Sequence, residues 1–298
     1  MMDRLINILV SVLLIDMMLA VGLDVKPSDL RAVVGNWRLS LQALAANYVC
    51  VPGLTLGLLI LVRPADPMVS AGFLILAVCP GAPFGPLCTR IAKGDVAVAV
   101  GLMVLLAGSS VIAAPVLLQW LLPWICGDAA LQVDVLKIVG TLLATQLIPL
   151  CAGMWLHHRR PRLAEQLKKP SDLISAVLGV STIGLILIAQ FRSLAEINLG
   201  AWLAMTALLV GSFASGWSLG GPSDPSRRAL TLTTALRNVG VGLVIATGSF
   251  PGTAAVTAAM AYGIFEILGS LLLAWAWAGA SARQGKIEAT VLGEAIRK

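Results

Sequence analysis

The sequence is poor in charged residues. Only 12% of its 298 residues are Asp, Glu, Lys or Arg, whereas 58% are hydrophobic. A soluble domain carries roughly 25% charged residues, so this chain has too few polar side chains to cover a folded surface in water. The composition excludes an ordinary soluble domain and predicts an integral membrane protein whose surroundings are the lipid bilayer.

The sequence also lacks the alternating polar and apolar residues of a membrane barrel, in which each strand is a segment of about 10 residues. Its apolar runs are continuous over roughly 20 residues, the length that a helix needs to cross the hydrocarbon core. Only helices and closed barrels satisfy their own backbone hydrogen bonds in lipid. We therefore predict an all-α integral membrane fold.

Residues typical of metal sites and catalysis are scarce. The chain has two histidines and five scattered cysteines, and their spacing matches no metal motif, so we expect no metal and no other cofactor. It has no glycine-rich phosphate loop and no Ser–His–Asp set, so we predict no enzyme. The net charge of +6 comes from short basic connections, which indicate membrane topology and not nucleic-acid binding.

Nine apolar segments are predicted to span the membrane. They are Leu5–Leu23, Leu39–Val62, Val69–Thr89, Val96–Leu122, Val135–Leu156, Leu173–Phe191, Leu199–Trp217, Ala229–Ala246 and Ala254–Ala278. The connections are short, which favours one transmembrane domain over residues 1–280 and a polar tail over residues 281–298. The first run begins almost at the N-terminus without a small-residue cleavage site, so we interpret it as a helix and not as a signal peptide.

The distribution of basic residues predicts the orientation. Sixteen of the 21 Lys and Arg residues lie in connections or tails on one side, four lie on the other side, and Arg237 lies within a span. Cytoplasmic loops carry the excess of Lys and Arg. We expect a multi-pass protein of the plasma (inner) membrane, with its N-terminus outside and its C-terminal tail in the cytoplasm.

Two of the nine spans contain residues that interrupt a helix. The third has a cluster of prolines and glycines, namely Pro80, Gly81, Pro83, Gly85 and Pro86, and the eighth has Asn238, Gly240 and Gly242 at its middle. Interrupted segments at corresponding places in two halves indicate the binding site of a secondary transporter. We predict an incomplete 4 + 5 inverted repeat, with a first half over residues 1–126 that lacks its initial helix and a second half over residues 134–280.

Arg237 is a permanent charge within the eighth span. An ionisable residue at membrane depth is a functional-site hypothesis by default, and a buried charge needs a partner. Asp16 in the first span and Glu266 in the last are the candidate partners. Two interpretations stay open: a structural ion pair, or a protonatable Glu266 that couples transport to protons.

Several motifs resemble the bile acid:sodium symporter family in order and spacing. They are the run Met17–Leu30, Gln42 and Pro52 in the second span, Cys79-Pro80-Gly81 followed by Thr89 and Ala92-Lys93-Gly94-Asp95, the stretch from Arg228 to Asn238-x-Gly240, and Gly269-Ser270. The resemblance implies a core domain and a panel domain, with two helices that unwind and cross. It also implies an organic anion as substrate, such as a bile acid or a small carboxylate, driven by two sodium ions near the crossing. The number of spans matches the nine-helix members.

The chain departs from that family where sodium ligands are expected. Gly85-Pro86 replaces a Ser-Asn pair, Ala99 and Met103 replace hydroxyl residues, Thr233 replaces a glutamate, and Arg237 replaces a glutamine. Asn47 and Asn238 keep an amide, and Phe265-Glu266 replaces a His-Asn pair. Sodium, a hard cation, prefers oxygen ligands. Sodium coupling is therefore doubtful on the resemblance, and Arg237 is expected to take over as the positive charge at the crossing and to contact an anionic substrate.

These observations leave three functions open. The first is a secondary transporter of a small organic anion without ordinary sodium coupling. The second is a sodium-coupled symporter that uses backbone carbonyls. The third is a membrane sensor or assembly subunit that has lost transport. Substrate, coupling ion and oligomeric state stay undetermined by the sequence.

Overall fold

The computed structural model describes residues 2–126, 134–189 and 199–296, and these residues form helices without any strand. The helices are α1 Met2–Asp24, α2 Pro27–Val34, α3 Trp37–Ala45, α4 Val51–Val62, α5 Pro67–Ala77, α6 Gly85–Ile91, α7 Val96–Cys126, α8 Val135–Leu142, α9 Ile148–Arg159, α10 Pro161–Ala189, α11 Leu199–Leu219, α12 Asp224–Ala235, α13 Val239–Ser249 and α14 Ala254–Ile296. A π-helical turn joins α3 to α4 at Ala46–Cys50, and another joins α8 to α9 at Leu143–Leu147.

Eight helical stretches in the described residues are long and apolar enough to cross a membrane. They correspond to eight of the nine predicted spans. The third predicted span differs, because residues 78–84 are not helical and divide it into α5 and α6. At 11 residues, α5 is too short to cross the hydrocarbon core alone. The all-α, multi-pass membrane fold is thus confirmed, and two predicted spans are interrupted, the third at residues 78–84 and the eighth at residues 236–238.

Three boundaries differ from the prediction. The basic stretch at 157–170 was predicted as a loop, but α10 begins at Pro161, since long basic side chains can reach the interface from a helix. The predicted end of that span, Phe191, lies outside the described residues. The predicted tail continues α14 as helix as far as Ile296. The short helix α2 was not predicted.

The helices pack in two groups. In the first, α1 lies against α9 and α10, and α1 approaches α9 closely because a Cβ on Gly22 or Gly153 would clash with backbone atoms of the facing helix. In the second, α11 packs on α4 and α12, and α14 packs on α5. The groups meet where α1 contacts α13 and where α8 contacts α7. A cavity between the groups leads to the interrupted helices.

Candidate functional site

The two interrupted helices contact each other at their interruptions. The first interruption separates α5 from α6, and the second, residues 236–238, separates α12 from α13. The backbone N–H of Asn238 donates to the carbonyl of Cys79 at 2.7 Å, and its side-chain amide donates to the carbonyl of Gly81 at 3.3 Å. The two interruptions predicted from the sequence are therefore present and hydrogen-bonded to one another.

The first interruption follows from the proline and glycine cluster. Gly81 has a φ of +87°, and a Cβ there would lie 2.6 Å from the backbone nitrogen of Ala107 on α7. Only glycine fits both the conformation and the space. Pro80 and Pro83 lie in the non-helical segment and supply no N–H for a helix. Gly85 and Pro86 were also predicted to belong to the interrupted backbone, but both lie in the first turn of α6, where the missing N–H of proline is harmless.

The second interruption is shorter and depends on a side chain. Asn238 caps α13, since its Oδ1 accepts a hydrogen bond from the backbone N–H of Val241 at 3.2 Å. Helix therefore resumes at Val239, and the prediction that Gly240 belongs to the interrupted backbone is wrong. Gly240 lies in the first turn of α13, where a Cβ would lie 3.2 Å from Leu14 of α1.

The Arg237 side chain lies between the two interruptions and is only 1% exposed. Its Nε donates to the carbonyl of Leu76 at 3.3 Å, and its Nη2 donates to the carbonyl of Ala77. These are the last two carbonyls of α5, at the end of a helix that carries partial negative charge. Its Nη1 also donates to the carbonyl of Thr234 at 3.1 Å.

Asn47 holds the other side of the guanidinium. Its Oδ1 accepts from Arg237 Nη1 at 2.6 Å, and its backbone carbonyl accepts from Nη2 at 3.4 Å. The carbonyl is available because Asn47 lies in a π-helical turn, in which the N–H of Val51 donates to Ala46. The Asn47 amide in turn donates to Ala43 and to the hydroxyl of Thr234. Five oxygens, all uncharged, thus surround the guanidinium.

Glu266 contacts Arg237, but through the backbone. Its Oε1 accepts from the Arg237 N–H at 2.7 Å, and its Oε2 has no hydrogen-bond partner in the described part of the chain. Glu266 is completely buried. Among the described residues the ion pair found is Lys168–Asp24, at 2.6 Å. A direct ion pair between the guanidinium and Glu266, which the sequence suggested, is therefore not present.

Asp16 does not join this cluster. Its two carboxylate oxygens accept hydrogen bonds from Ser171 at 2.9 Å and from Ser175 at 2.7 Å, both on α10. The prediction that Asp16 could be the partner of Arg237 is wrong, because the face of α1 that carries Asp16 packs on α10.

Thr233 lies at the crossing but directs its hydroxyl inward to its own helix. The hydroxyl donates to the carbonyl of Ala229 at 2.9 Å. Its methyl group faces Gly85, where an added Cβ would lie 3.1 Å away. The contact between α6 and α12 at this point is therefore made by small apolar groups.

A cavity of about 430 Å³ lies beside the crossing. Its walls are mostly apolar and come from α1, α10, α13, α14 and both interruptions. Val239 and Gly240 bring the N-terminus of α13 to it, and Thr182 of α10 lines it with a buried hydroxyl that has no partner among the described residues. Arg237 also belongs to the wall, although its guanidinium is engaged elsewhere.

A second cavity, of about 350 Å³, adjoins the first and has a more polar lining. The two share Asp172 and Ser175 of α10 and the residues Pro83 and Phe84 of the first interruption. The second cavity extends to Arg90 and to the Lys168–Asp24 ion pair, which is partly exposed. The crossing is thus connected by cavities to the side of the molecule that carries Arg90 and Lys168.

Sequence reasoning found Arg237, Asn238, Asn47 and Glu266, which the structure brings together. It missed the acceptor carbonyls at the end of α5, since every residue has a carbonyl and only the fold frees particular ones. It also missed Thr182. The recurrence of hydroxyl residues along α10, at Ser171, Ser175 and Thr182, was the available signal.

Comparison with known proteins agrees with this architecture. Residues 11–197 match the model of the sodium bile acid symporter family. The chain is 25% identical over 270 residues to a probable chloroplastic sodium/metabolite cotransporter of Oryza sativa, covering 88% of this chain and 62% of the relative. It is 25% identical over 279 residues to a similar chloroplastic protein of Arabidopsis thaliana, covering 90% of this chain and 66% of the relative.

A bacterial relative is similar over more of its own length. An uncharacterized sodium-dependent transporter of Bacillus subtilis is 25% identical over 271 residues, which are 87% of this chain and 80% of the relative. The chain spans slightly less than two thirds of the length of the two plant proteins. The family model itself covers more than half of this chain. The chain belongs to the sodium bile acid symporter family.

Proposed function

We propose that this protein is a secondary transporter that moves a small organic anion across the plasma membrane without a sodium ion at the helix crossing. One observation carries this proposal. The guanidinium of Arg237 lies where the two interrupted helices meet and donates to five oxygens, which belong to the end of α5, to α12 and to Asn47. The names of the relatives mention sodium, and the proposal for this chain differs from them because of that residue.

The chemistry of these acceptors suits a cation. Carbonyl and amide oxygens are the ligands that a hard cation takes in proteins, and here a permanently charged guanidinium uses them instead. A sodium ion about 4 Å away would be repelled by about 4 kcal/mol at an effective dielectric constant of about 20. Arg237 thus bridges the acceptor oxygens as a bound cation would, and its charge disfavours the binding of a sodium ion beside it.

The anion is proposed to bind in the 430 Å³ cavity beside the crossing. The N-terminus of α13 opens onto it, and helix N-termini attract anions. Thr182, whose buried hydroxyl has no hydrogen-bond partner among the described residues, belongs to the same wall. The apolar remainder of the wall would accommodate the body of a bile-acid-like molecule or of a small carboxylate.

Alternating access would move the two helix groups relative to each other. In this proposal the group of α1, α9 and α10 forms the panel domain, and the helices around the crossing form the core domain. The chain would repeat as 4 + 5 inverted spans, with α5 and α6 counted as one passage and α12 and α13 counted as another. The N-terminus is outside. Support comes from the cavities, which lie between the groups and reach the side of Arg90.

Uptake into proteoliposomes tests the proposal. The full chain is reconstituted, and uptake of radiolabelled taurocholate and a panel of labelled small carboxylates is measured in sodium buffer and in choline buffer. We expect at least one probe to accumulate above protein-free vesicles, at the same rate in both buffers.

Two outcomes would contradict the proposal. Uptake that requires sodium would favour a symporter whose sodium ligands are backbone carbonyls. Saturable binding of a probe without any uptake or exchange would favour a sensor built on a transporter fold.

A further inference from the structure

Helix α14 carries an unusual set of buried polar atoms. Eight buried side-chain polar atoms in the described residues have no hydrogen-bond partner, and four of them lie on α14. They belong to Thr257, Tyr262, Glu266 and Ser270, and each of these residues is at most 5% exposed. The spacing of four residues places Tyr262, Glu266 and Ser270 along one side of the helix, whereas Thr257, nine residues before Glu266, lies on the opposite side. Unsatisfied buried polar atoms are rare and call for an explanation.

Glu266 is the only acid in this set and has two unlike oxygens. Oε1 accepts the N–H of Arg237, and Oε2 faces no donor among the described residues. A buried carboxylate without an ion pair is costly, whereas the charge of Arg237 nearby attracts it. These two effects oppose each other, so neither the ionised nor the neutral carboxyl is favoured by every contact.

We propose that Glu266 carries a proton across the membrane together with the anion, and that the hydroxyls of Tyr262 and Ser270, one turn before and one turn after it on the same side of α14, form its path. The proposal rests on the anion transport proposed above. In the proton step, the carboxylate of Glu266 accepts a proton at Oε2 from one side of the membrane and releases the same proton to the other side. No other bond changes.

The hydroxyls of the path lie on one side of α14. Tyr262 and Ser270 are four residues before and four residues after Glu266, and the hydroxyls of both have no hydrogen-bond partner among the described residues. Tyr262 lies near Ser212 of α11 without a hydrogen bond of ordinary geometry. By the predicted topology, the order Tyr262, Glu266, Ser270 runs from the outer toward the cytoplasmic side. Thr257 lies on the opposite side of α14, where it lines a cavity of about 100 Å³ between α5, α11 and α14.

The charges around Glu266 explain how the proton and the anion are coupled. The titratable groups that act on Glu266 are Arg237 at the second interruption and Tyr262 on α14 itself, whereas Cys79 at the first interruption and Tyr48 on the π-helical turn act on Arg237. An ionised Glu266 beside the start of α13 repels an anion in the adjacent cavity, and a neutral Glu266 does not. Proton binding therefore raises anion affinity, and anion binding raises proton affinity by the same factor.

Infrared difference spectroscopy tests the proton step without any substrate. The protein in lipid is titrated with acid in water and in deuterium oxide, and the carboxylic-acid C=O band is followed. We expect a band from a buried acid that shifts on deuteration, is lost in Glu266→Gln and persists in the matched control Glu165→Gln, which alters an exposed glutamate. A spectrum of Glu266→Gln identical to the native one would overturn the proposal.

Transport measurements test the coupling. With the labelled probe that the wild type takes up, an inward gradient of one pH unit should increase accumulation up to about tenfold for one proton per anion. In Glu266→Gln, whose amide cannot ionise, the gradient should have no effect, while exchange of internal for external probe continues. Glu165→Gln should respond as the wild type does.

The outcomes separate the two proposals. If uptake by the wild type does not depend on the pH gradient, the proposal of proton coupling is contradicted, but the proposal of anion transport still holds. Loss of exchange as well as of accumulation in Glu266→Gln, in a folded protein, would also contradict it, since it would give Glu266 a role in binding or structure. If no probe is transported, anion transport fails and the infrared result alone decides whether Glu266 exchanges a proton.

Discussion

The two interrupted helices both expose backbone polar groups where helix stops, but one supplies hydrogen-bond acceptors and the other supplies donors. The interruption between α5 and α6 extends over seven residues, contains two prolines, and offers backbone carbonyls. The interruption between α12 and α13 extends over three residues and offers the donors of Arg237 and Asn238. Residues of the second interruption donate hydrogen bonds to carbonyls of the first interrupted helix, at Leu76 and Ala77 in the last turn of α5 and at Cys79 and Gly81 in the first interruption.

This difference explains what holds a crossing of broken helices together in a membrane. Two exposed helix ends leave acceptors that lipid cannot satisfy. A bound cation can serve such acceptors, and so can a side chain with several fixed donors. Arg presents five N–H donors in a planar fork, so a single residue of the second interruption satisfies carbonyls on the first helix and on the Asn47 turn at once.

Removal of the guanidinium should have the largest effect on this arrangement. Arg237→Gln leaves most of the five acceptors unpaired, and each unsatisfied buried group costs about 1–3 kcal/mol. We expect a loss of about 3 kcal/mol or more in the free energy of unfolding, together with loss of anion uptake and no gain of sodium dependence.

Denaturant unfolding in detergent and uptake with and without sodium measure these effects. Arg162→Gln, a change of the same kind at an exposed position of α10, should remain within about 0.5 kcal/mol of the wild type. Unchanged stability and full uptake in Arg237→Gln would refute the role given to the guanidinium.

The first interruption can be disturbed through its backbone alone. Gly81→Ala adds a Cβ at a φ of +87° and 2.6 Å from the backbone of Ala107. Strained backbone of this kind costs about 1–3 kcal/mol, so we expect a loss of that size in stability. Gly57→Ala is the control, because no atom lies within 4 Å of the added group and alanine favours helix by up to about 1 kcal/mol. Equal stability of the two variants would contradict the geometry of the interruption.

The smallest effect is expected away from the crossing. Asp16→Asn keeps one oxygen that can accept from Ser171 or Ser175, so the free energy of unfolding should change by no more than about 1 kcal/mol. This change in the free energy of unfolding is measured by thermal unfolding, with tryptophan fluorescence as the signal. A loss as large as that of Arg237→Gln would contradict the small contribution expected of Asp16.

The helices and their interruptions were largely predictable, for different reasons. Long apolar runs predict spans because lipid admits little else, and three prolines between Pro80 and Pro86 cannot lie inside a regular helix. The second interruption was predicted at Asn238, Gly240 and Gly242, but it lies at residues 236–238 and helix resumes at Val239, because glycine only permits a break. The Asn238 side chain decides its position by capping α13, and that depends on the local geometry that the chain adopts.

The partners of the buried charges were predicted less well. Asp16 and Glu266 were reasonable partners for Arg237, since opposite charges attract within a membrane. The structure instead surrounds the guanidinium with uncharged oxygens and binds Glu266 to its backbone N–H. A sequence indicates which side chains carry charge, but the available carbonyls depend on where each helix ends.

The sequence by itself determined that the protein lies in a lipid bilayer, that it is helical, and that an arginine lies within a span. The first follows from the composition, and the other two follow from the length and position of the apolar runs. Only the tertiary structure decided what the arginine does. It brings the end of α5, the π-helical turn at Asn47 and the second interruption to one point. There five backbone and amide oxygens accept hydrogen bonds from the guanidinium, and in the described part of the chain no carboxylate forms a direct ion pair with it.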